Sequence, residues 1–448
     1  MAINFKPEYD QTLFELSDNI DRSKFIIATY ALQGSTTLNA IKQAFSLAIE
    51  QSTGTWLPVP DETPEVRREH VARVCGIYEV PNHSWCVPAD VKERAWVIQI
   101  GFPIANFSVQ FAMTLTAAVG NISGEGKLKL VDLAFPKCWI DEFEGPKFGV
   151  EGVRELLGVP ERPLVNNMIK PCCGLTPETT ARLAYEVAVS GVDIIKDDEL
   201  IANAAYSPIE VRVKQVMEAL KRADDEKGEK TLYTFNITDS PAQARINAEK
   251  ALEAGANALM LNCWTLGPDA CREIIRDFDV PFLFHPDLTG SLYVSHDYGL
   301  SPELIQVKIP RLAGFDMGIV LSPYGKFPML HDKFQQVCFT HLAEYGHIKR
   351  SFPMPGGGTT QGHVEEIMKK FGNDVIIAAG GAIIGHPDGT LAGGKSCRQA
   401  IDIVMAGGHL DDEETVAQYP ELKSALDAFG VYHEKKLTGL YDMKEEKE

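Results

Sequence analysis

The chain of 448 residues lacks any uninterrupted apolar run long enough for a bilayer, which needs about 20 residues; Phe111 to Val119 is too short and is broken by threonines. A basic surplus is also missing. With 43 Lys and Arg against 62 Asp and Glu, the formal net charge is −19 at pH 7. Nucleic acids and anionic membranes are held by basic faces, so neither is an expected partner. There is no Cys-x-x-Cys and no Cys/His spacing suited to zinc. The nine cysteines are scattered, and the one adjacent pair, Cys172 and Cys173, is poorly placed for an unstrained disulfide; reduced thiols are expected. Met1 to Asp10 holds acidic residues and no apolar core of a secretion signal, so the expected location is cytoplasmic. Internal repeats and low-complexity linkers are absent too.

What is present is the composition of a globular protein with a large core, 45% hydrophobic and 23% charged. The length suggests two domains. From Lys24 to about Phe135, strand-like runs (24–32, 75–80, 95–102 and 127–135) alternate with helical patterns at 38–51 and 108–119, which predicts a compact α+β domain. After Phe143-Glu144-Gly145-Pro146 the chain adopts a strand, loop, helix rhythm. Predicted strands are 164–170, 192–196, 232–237, 258–262, 281–287, 315–321, 351–355 and 375–379, with helical stretches such as 177–190, 208–227, 242–254 and 271–278 between them. Eight such units in about 250 residues make a (β/α)8 barrel the economical solution. The expected organisation is therefore an N-terminal α+β domain over 1–143, a barrel catalytic domain over 144–430 and a charged tail over 431–448.

The segment Gly191-Val192-Asp193-Ile194-Ile195-Lys196-Asp197-Asp198-Glu199 runs an apolar strand with an embedded lysine into consecutive carboxylates. Side chains two apart share a face of a strand, which puts Lys196 and Asp198 together with Glu199 just beyond. Oxygen donors so clustered suit a hard cation such as Mg²⁺, and a neutral Lys196 would add a further anionic ligand on reaction with CO₂ to form a carbamate. Burial and a second cation, Lys170, are expected to lower the lysine pKa toward that neutral state. Barrel enzymes work at the C-terminal ends of their strands. Lys170, Lys196, Asp198, Glu199, Asn262, His285 and Asp287 fall there, Lys326 follows strand six, and the glycines at 356–358 and 380–381 follow the last two strands, where backbone amides can approach a phosphate.

These residues carry a resemblance. The segments 191–199, Ile169-Lys170-Pro171 with Gly174-Leu175, Glu50 with Ser52 to Trp56, Val119-Gly120-Asn121, Phe143 to Gly149 and Gly385-His386-Pro387 resemble the large chain of ribulose-bisphosphate carboxylase/oxygenase, RuBisCO. The likeness spans nearly the whole chain and implies a ferredoxin-like α+β domain before the barrel. It implies Mg²⁺ on carbamylated Lys196, Asp198 and Glu199, an acid/base role for Lys170 and a mobile-loop role for Lys326. His285 would face the substrate, and Thr55, Trp56, Gly356, Gly357, Gly380 and Gly381 would hold a phosphate. Glu50, Thr55, Trp56 and Asn121 would reach the site from a partner subunit, which implies a homodimer or a multiple of dimers.

Cys172, Pro286, Thr289, Ile319 and Pro355 depart from that family's pattern, standing where the carboxylase has lysine, arginine, histidine, histidine and serine. Loss of the arginine and imidazole removes charge-assisted bonds that a second phosphate would need. The expectation is thus not a genuine carboxylase but a RuBisCO-like protein acting on a sugar monophosphate. Retention of Lys326 favours decarboxylation of a β-keto sugar-acid phosphate, of the 3-oxo-isoapionate 4-phosphate decarboxylase type. The alternatives are an enolase or isomerase of a methylthio-sugar phosphate in methionine salvage, and a non-catalytic scaffold.

Overall fold

The computed structural model describes residues 10–54, 59–325 and 328–433. Strands β1 (Phe25–Ser35), β2 (Arg73–Glu79), β3 (Glu93–Pro103) and β4 (Lys127–Ala134) pair antiparallel in the order β4-β1-β3-β2. Helices Ala40–Glu50 and Phe111–Val119 supply the connections that a ferredoxin-like sheet of this order requires. The central strand β1 buries Ile26, Ala28, Tyr30 and Leu32, with the alternation of a sheet covered on one face. Tyr30 donates its hydroxyl to Ala118 O at 2.6 Å, so the one polar atom of that face is satisfied by the helix that covers it.

The barrel strands are β5 (Leu164–Met168), β6 (Ile194–Lys196), β7 (Leu232–Asn236), β8 (Ala258–Asn262) and β9 (Phe282–His285), followed after one short strand by β11 (Met317–Leu321), β12 (Phe352–Gly356) and β13 (Ile376–Ala378). All pair parallel in the order β12-β11-β9-β8-β7-β6-β5-β13, and β12 lies beside β13 to close the ring. Leu164, Ile194, Leu232, Met260, Leu283, Met317, Phe352 and Ile376 fill the interior, joined by Val150, Val153 and Leu157 of the helix Gly149–Leu157. Packing on both faces explains why these strands read as continuous apolar runs.

The intervening strand β10 (Gly299–Leu300) belongs to the barrel segment of the sequence but pairs parallel with β4, so one short strand stitches the two layers together. Two residues carry no readable periodicity, so this pairing has no local signature. Asp269 adds a second link: its carboxylate accepts from Phe111 N at 3.0 Å and Ala112 N at 2.8 Å, occupying free amides at the start of a helix in the first sheet's layer. The two parts are thus joined by strand pairing and by side chains, and their buried residues form one continuous hydrophobic cluster, so we propose residue 143 as a division of secondary-structure layers rather than of cores. Helices Glu413–Val416 and Pro420–Phe429 lead toward the charged tail, of which residues 434–448 lie outside the described residues.

Candidate functional site

Strand β6 ends on Lys196 and delivers it to the barrel mouth with 1% of its surface exposed. The following residue turns the other way. Asp197 Oδ2 accepts from Arg212 Nη2 and Asn236 N, both at 3.0 Å, while Oδ1 accepts from Tyr233 Oη at 2.7 Å. That buried carboxylate is fully engaged behind the strand, which leaves Asp198 and Glu199 to face the mouth.

Lys196 Nζ donates to Asp197 O at 2.8 Å and Glu199 Oε2 at 3.2 Å. Glu199 Oε2 also lies 3.2 Å from His285 Nε2, brought there by β9. Burial works to raise the Glu199 carboxyl, but His285 and Lys196 outweigh it and hold it well below the usual carboxylate range. Its backbone carbonyl is clamped by Asn236 Nδ2 at 3.1 Å and Asn262 Nδ2 at 3.2 Å, from the ends of β7 and β8. Four consecutive barrel strands therefore converge on one glutamate.

Lys170 stands two residues beyond the end of β5 rather than on the strand, and its Nζ donates to Asp198 Oδ2 at 2.5 Å and to Cys172 Sγ at 3.0 Å. Burial opposes its charge, but these two bonds win and raise its pKa above the ordinary lysine value. The sequence placed Lys170 at the strand end but did not show that it pairs with Asp198.

The glycines meet on the opposite side of the mouth. A Cβ on Gly356 would lie 3.6 Å from Met168 Cε, and one on Gly380 only 2.5 Å from Met168 Sδ, so the thioether at the end of β5 packs between the two segments. Gly357 and Gly358 have φ of 82° and 107°, backbone that glycine adopts without strain. Gly380 and Gly381 open the helix Gly380–Ile384, and Asn167 Nδ2 holds Gly380 O at 3.1 Å. On the first sheet's layer, Asn121 Nδ2 approaches Glu50 Oε1 at 3.5 Å. Those two are brought to each other, and among the described hydrogen bonds neither reaches a barrel-mouth residue. Thr55, Trp56 and Lys326 lie outside the described residues.

The donor set fits a hard divalent cation. It offers the carboxylates of Asp198 and Glu199, an amine placed for carbamate formation, and the buried Asn262 Oδ1, which has no hydrogen-bond partner. Such a grouping, facing a glycine cradle, can bind a phosphorylated carbonyl compound and move a proton beside its carbonyl.

The description "Ribulose bisphosphate carboxylase large chain, catalytic domain" matches residues 149–429, and that of the N-terminal domain matches 14–139. The chain belongs to the ribulose bisphosphate carboxylase large-chain family. It is 49% identical to a ribulose bisphosphate carboxylase-like protein of Archaeoglobus fulgidus over 88% of this chain and 90% of the relative. It is 35% identical to the 2,3-diketo-5-methylthiopentyl-1-phosphate enolase of Bacillus cytotoxicus, over 90% of this chain and 97% of that one. The crystal structure of a rubisco-like protein, MtnW, from Alicyclobacillus acidocaldarius superposes with a TM-score of 0.83 at 34% identity, covering 91% of this chain and all 100% of the other.

Within this RuBisCO-like protein two functional contributions escaped the sequence reading. Asn236 was hidden as one polar residue in an otherwise apolar strand; its place at the strand's C-terminal end was the only available signal. Asp197 read as one more acid in a run of three, and only the alternation of extended chain separates it from its neighbours.

Proposed function

We propose that this RuBisCO-like protein catalyses enolisation of a phosphorylated sugar-derived ketone, the reaction class of the 2,3-diketo-5-methylthiopentyl-1-phosphate enolases it resembles. The observation that carries the reading is a pair of charge clusters at the barrel mouth, Lys196 Nζ and His285 Nε2 each 3.2 Å from Glu199 Oε2, and Lys170 Nζ 2.5 Å from Asp198 Oδ2. Lys196 as a carbamate, Asp198 and Glu199 would hold Mg²⁺. Bound there, the cation supplies positive charge beside a carbonyl oxygen as negative charge develops on it.

The chain's own groups do the rest. Lys170 is half exposed and shares its proton with Asp198; with Asp198 engaged by the cation it would lose that partner, and as the free amine it would accept the proton from the carbon beside the carbonyl. The backbone at Gly356, Gly357, Gly380 and Gly381 binds a single phosphate and so fixes which carbon faces Lys170. Pro286, Ile319 and Pro355 supply no charge for a second phosphate, and Ile319 is 5% exposed in the apolar barrel interior. Glu50 and Asn121, held together on the outer layer, would complete the site of a partner subunit in a homodimer.

The expectation of decarboxylation rests on Lys326 alone, which lies outside the described residues, whereas relatives along nine-tenths of the chain bear the enolase name. Enolisation is therefore the leading reading. Incubation of the enzyme with Mg²⁺, bicarbonate and a diketo sugar monophosphate in deuterated water should put deuterium on the carbon beside the carbonyl without gas evolution. Release of CO₂ from a β-keto sugar-acid phosphate, with no exchange in the diketone, would replace this reading with decarboxylation.

A further inference from the structure

Beside the strand β10 that stitches the two layers together, a cavity of about 1150 Å³ opens between β4, the helix Thr289–Tyr293 and the barrel helix His331–Leu342. Lys170, Lys196, Asp198, Glu199 and His285 are not among its lining residues, so it is separate from the barrel mouth. Val131, Tyr293, Val294 and Leu321 give it a largely apolar wall.

The charges on that wall do not balance. Lys308 Nζ lies 2.9 Å from Asp132 Oδ1, and Lys333 Nζ lies 3.3 Å from Glu303 Oε1. Lys129 and Arg311 have no such partner among the described residues. Lys129 Nζ donates only to carbonyls, Tyr293 O at 2.7 Å and Ser295 O at 2.5 Å. Arg311, 3% exposed, donates to the carbonyls of Lys349, Thr340, Ala343 and Ile348 at 2.7 to 3.1 Å. Glu303, whose field reaches Lys129, is already held by Lys333, and the remaining acid of the wall, Glu344, is exposed and in no ion pair. Carbonyl dipoles satisfy the N–H groups but carry no net charge, so two cations stay uncompensated in a chain whose net charge is −19. Tyr345 adds an orphan. Its Oη is buried without a hydrogen-bond partner, while Arg311 and Lys308 lie 5.9 and 5.8 Å from its ring centre.

We propose that this cavity is a second binding site, for a small organic anion with an apolar body such as a medium-chain carboxylate. Its charge balances Lys129 and Arg311, an oxygen accepts from Tyr345 Oη, and its chain covers Val131, Val294 and Leu321. A neutral molecule of the same shape would leave the cations uncompensated, and a cationic one would be repelled.

Calorimetry of the full-length protein with octanoate, octanamide and octylammonium tests this. Octanoate is expected to saturate one site per chain and to bind at least about 10-fold more tightly than octanamide, with octylammonium weaker still. Lys129→Met should weaken octanoate by about 10-fold, and Tyr345→Phe, which removes only the hydroxyl, by about 2- to 10-fold. Glu199→Gln, at the barrel mouth, should leave octanoate binding unchanged. The inference is overturned by absence of saturable octanoate binding, by equal affinity for octanamide, or by indifference to both Lys129→Met and Tyr345→Phe. Loss of binding in Glu199→Gln would overturn it as well, since the carboxylate would then sit at the mouth. None of these results bears on the enolisation reading, which stands or falls by deuterium exchange.

Discussion

Asp197 decides which way its neighbours point. Arg212, Tyr233 and the amide of Asn236 all donate to it, and both members of the Asp197–Arg212 pair are almost wholly buried. Arg212 also donates to Ser207 O at 2.8 Å and Ala202 O at 2.7 Å, so it stays anchored if the acid is removed. Asp197→Ala would leave that guanidinium as an uncompensated buried charge, and a loss of about 3–5 kcal/mol in urea unfolding is expected. Lys170 is half exposed, but its partner Asp198 is buried, so Lys170→Met should lower proton exchange at carbon by at least about 100-fold and also lower the melting temperature by leaving that carboxylate without its ammonium partner. An unaltered exchange rate in that variant would remove Lys170 from the reaction.

Among the elements, the helix Phe111–Val119 shows how a local signal and a distant one combine. Gln110 caps it locally, accepting from Met113 N at 2.8 Å. The first two amides are instead taken by Asp269 on the barrel helix Pro268–Asp277, more than 150 positions along the chain. Removing an acceptor from a helix N-terminus costs about 1–2 kcal/mol at the upper end of such caps, so Asp269→Ala should destabilise the protein by that amount in denaturant unfolding. The same substitution should raise hydrogen exchange at the amides of Phe111 and Ala112, which identifies the cause. The eight barrel strands, and the helices at 177–190, 208–227, 242–254 and 271–278, were legible in the sequence through a period or an apolar run. Strand β10 was not, since two residues have no period and its partner β4 lies about 170 positions away.

For the whole molecule, buried histidines set the response to acid. His341, bonded through Nδ1 to Ser351 Oγ at 2.8 Å, is pushed down to about 3 by burial and by the nearby Arg311 guanidinium. His363 falls to about 4, again by burial. Both are depressed from 6.5, so the unfolded chain binds more protons than the folded one as pH falls below that value. Their stabilisation is complete above pH 6.5 and declines by up to about 1.4 kcal/mol per histidine per pH unit until the folded values are reached. Asp316 acts in the opposite sense: burial pushes it up to about 6 against three backbone amides that favour its charge, so its ionisation cost is relieved as pH drops through 6. Two histidines against one carboxyl give a net loss below pH 6. Unfolding free energies between pH 7 and 4 should therefore fall for the wild type and fall less steeply for His341→Asn; equal slopes would show that His341 is not a buried neutral group.

By itself the sequence determined the layered α+β and barrel architecture, the family, and the small set of polar residues that end the barrel strands. Those are consequences of periodicity and of residue type at strand ends, both written locally. Tertiary structure decided how that set is divided: Asp197 behind the strand, Asp198 on Lys170, Glu199 between Lys196 and His285, and Asn236 with Asn262 on one carbonyl. Apart from Lys196 and Glu199, which are close in sequence, these are pairings between groups well separated along the chain, and their effect depends on distance and burial. A carboxylate's role is fixed by which donor reaches it first, and only the closed barrel brings those donors within 3 Å or so of it.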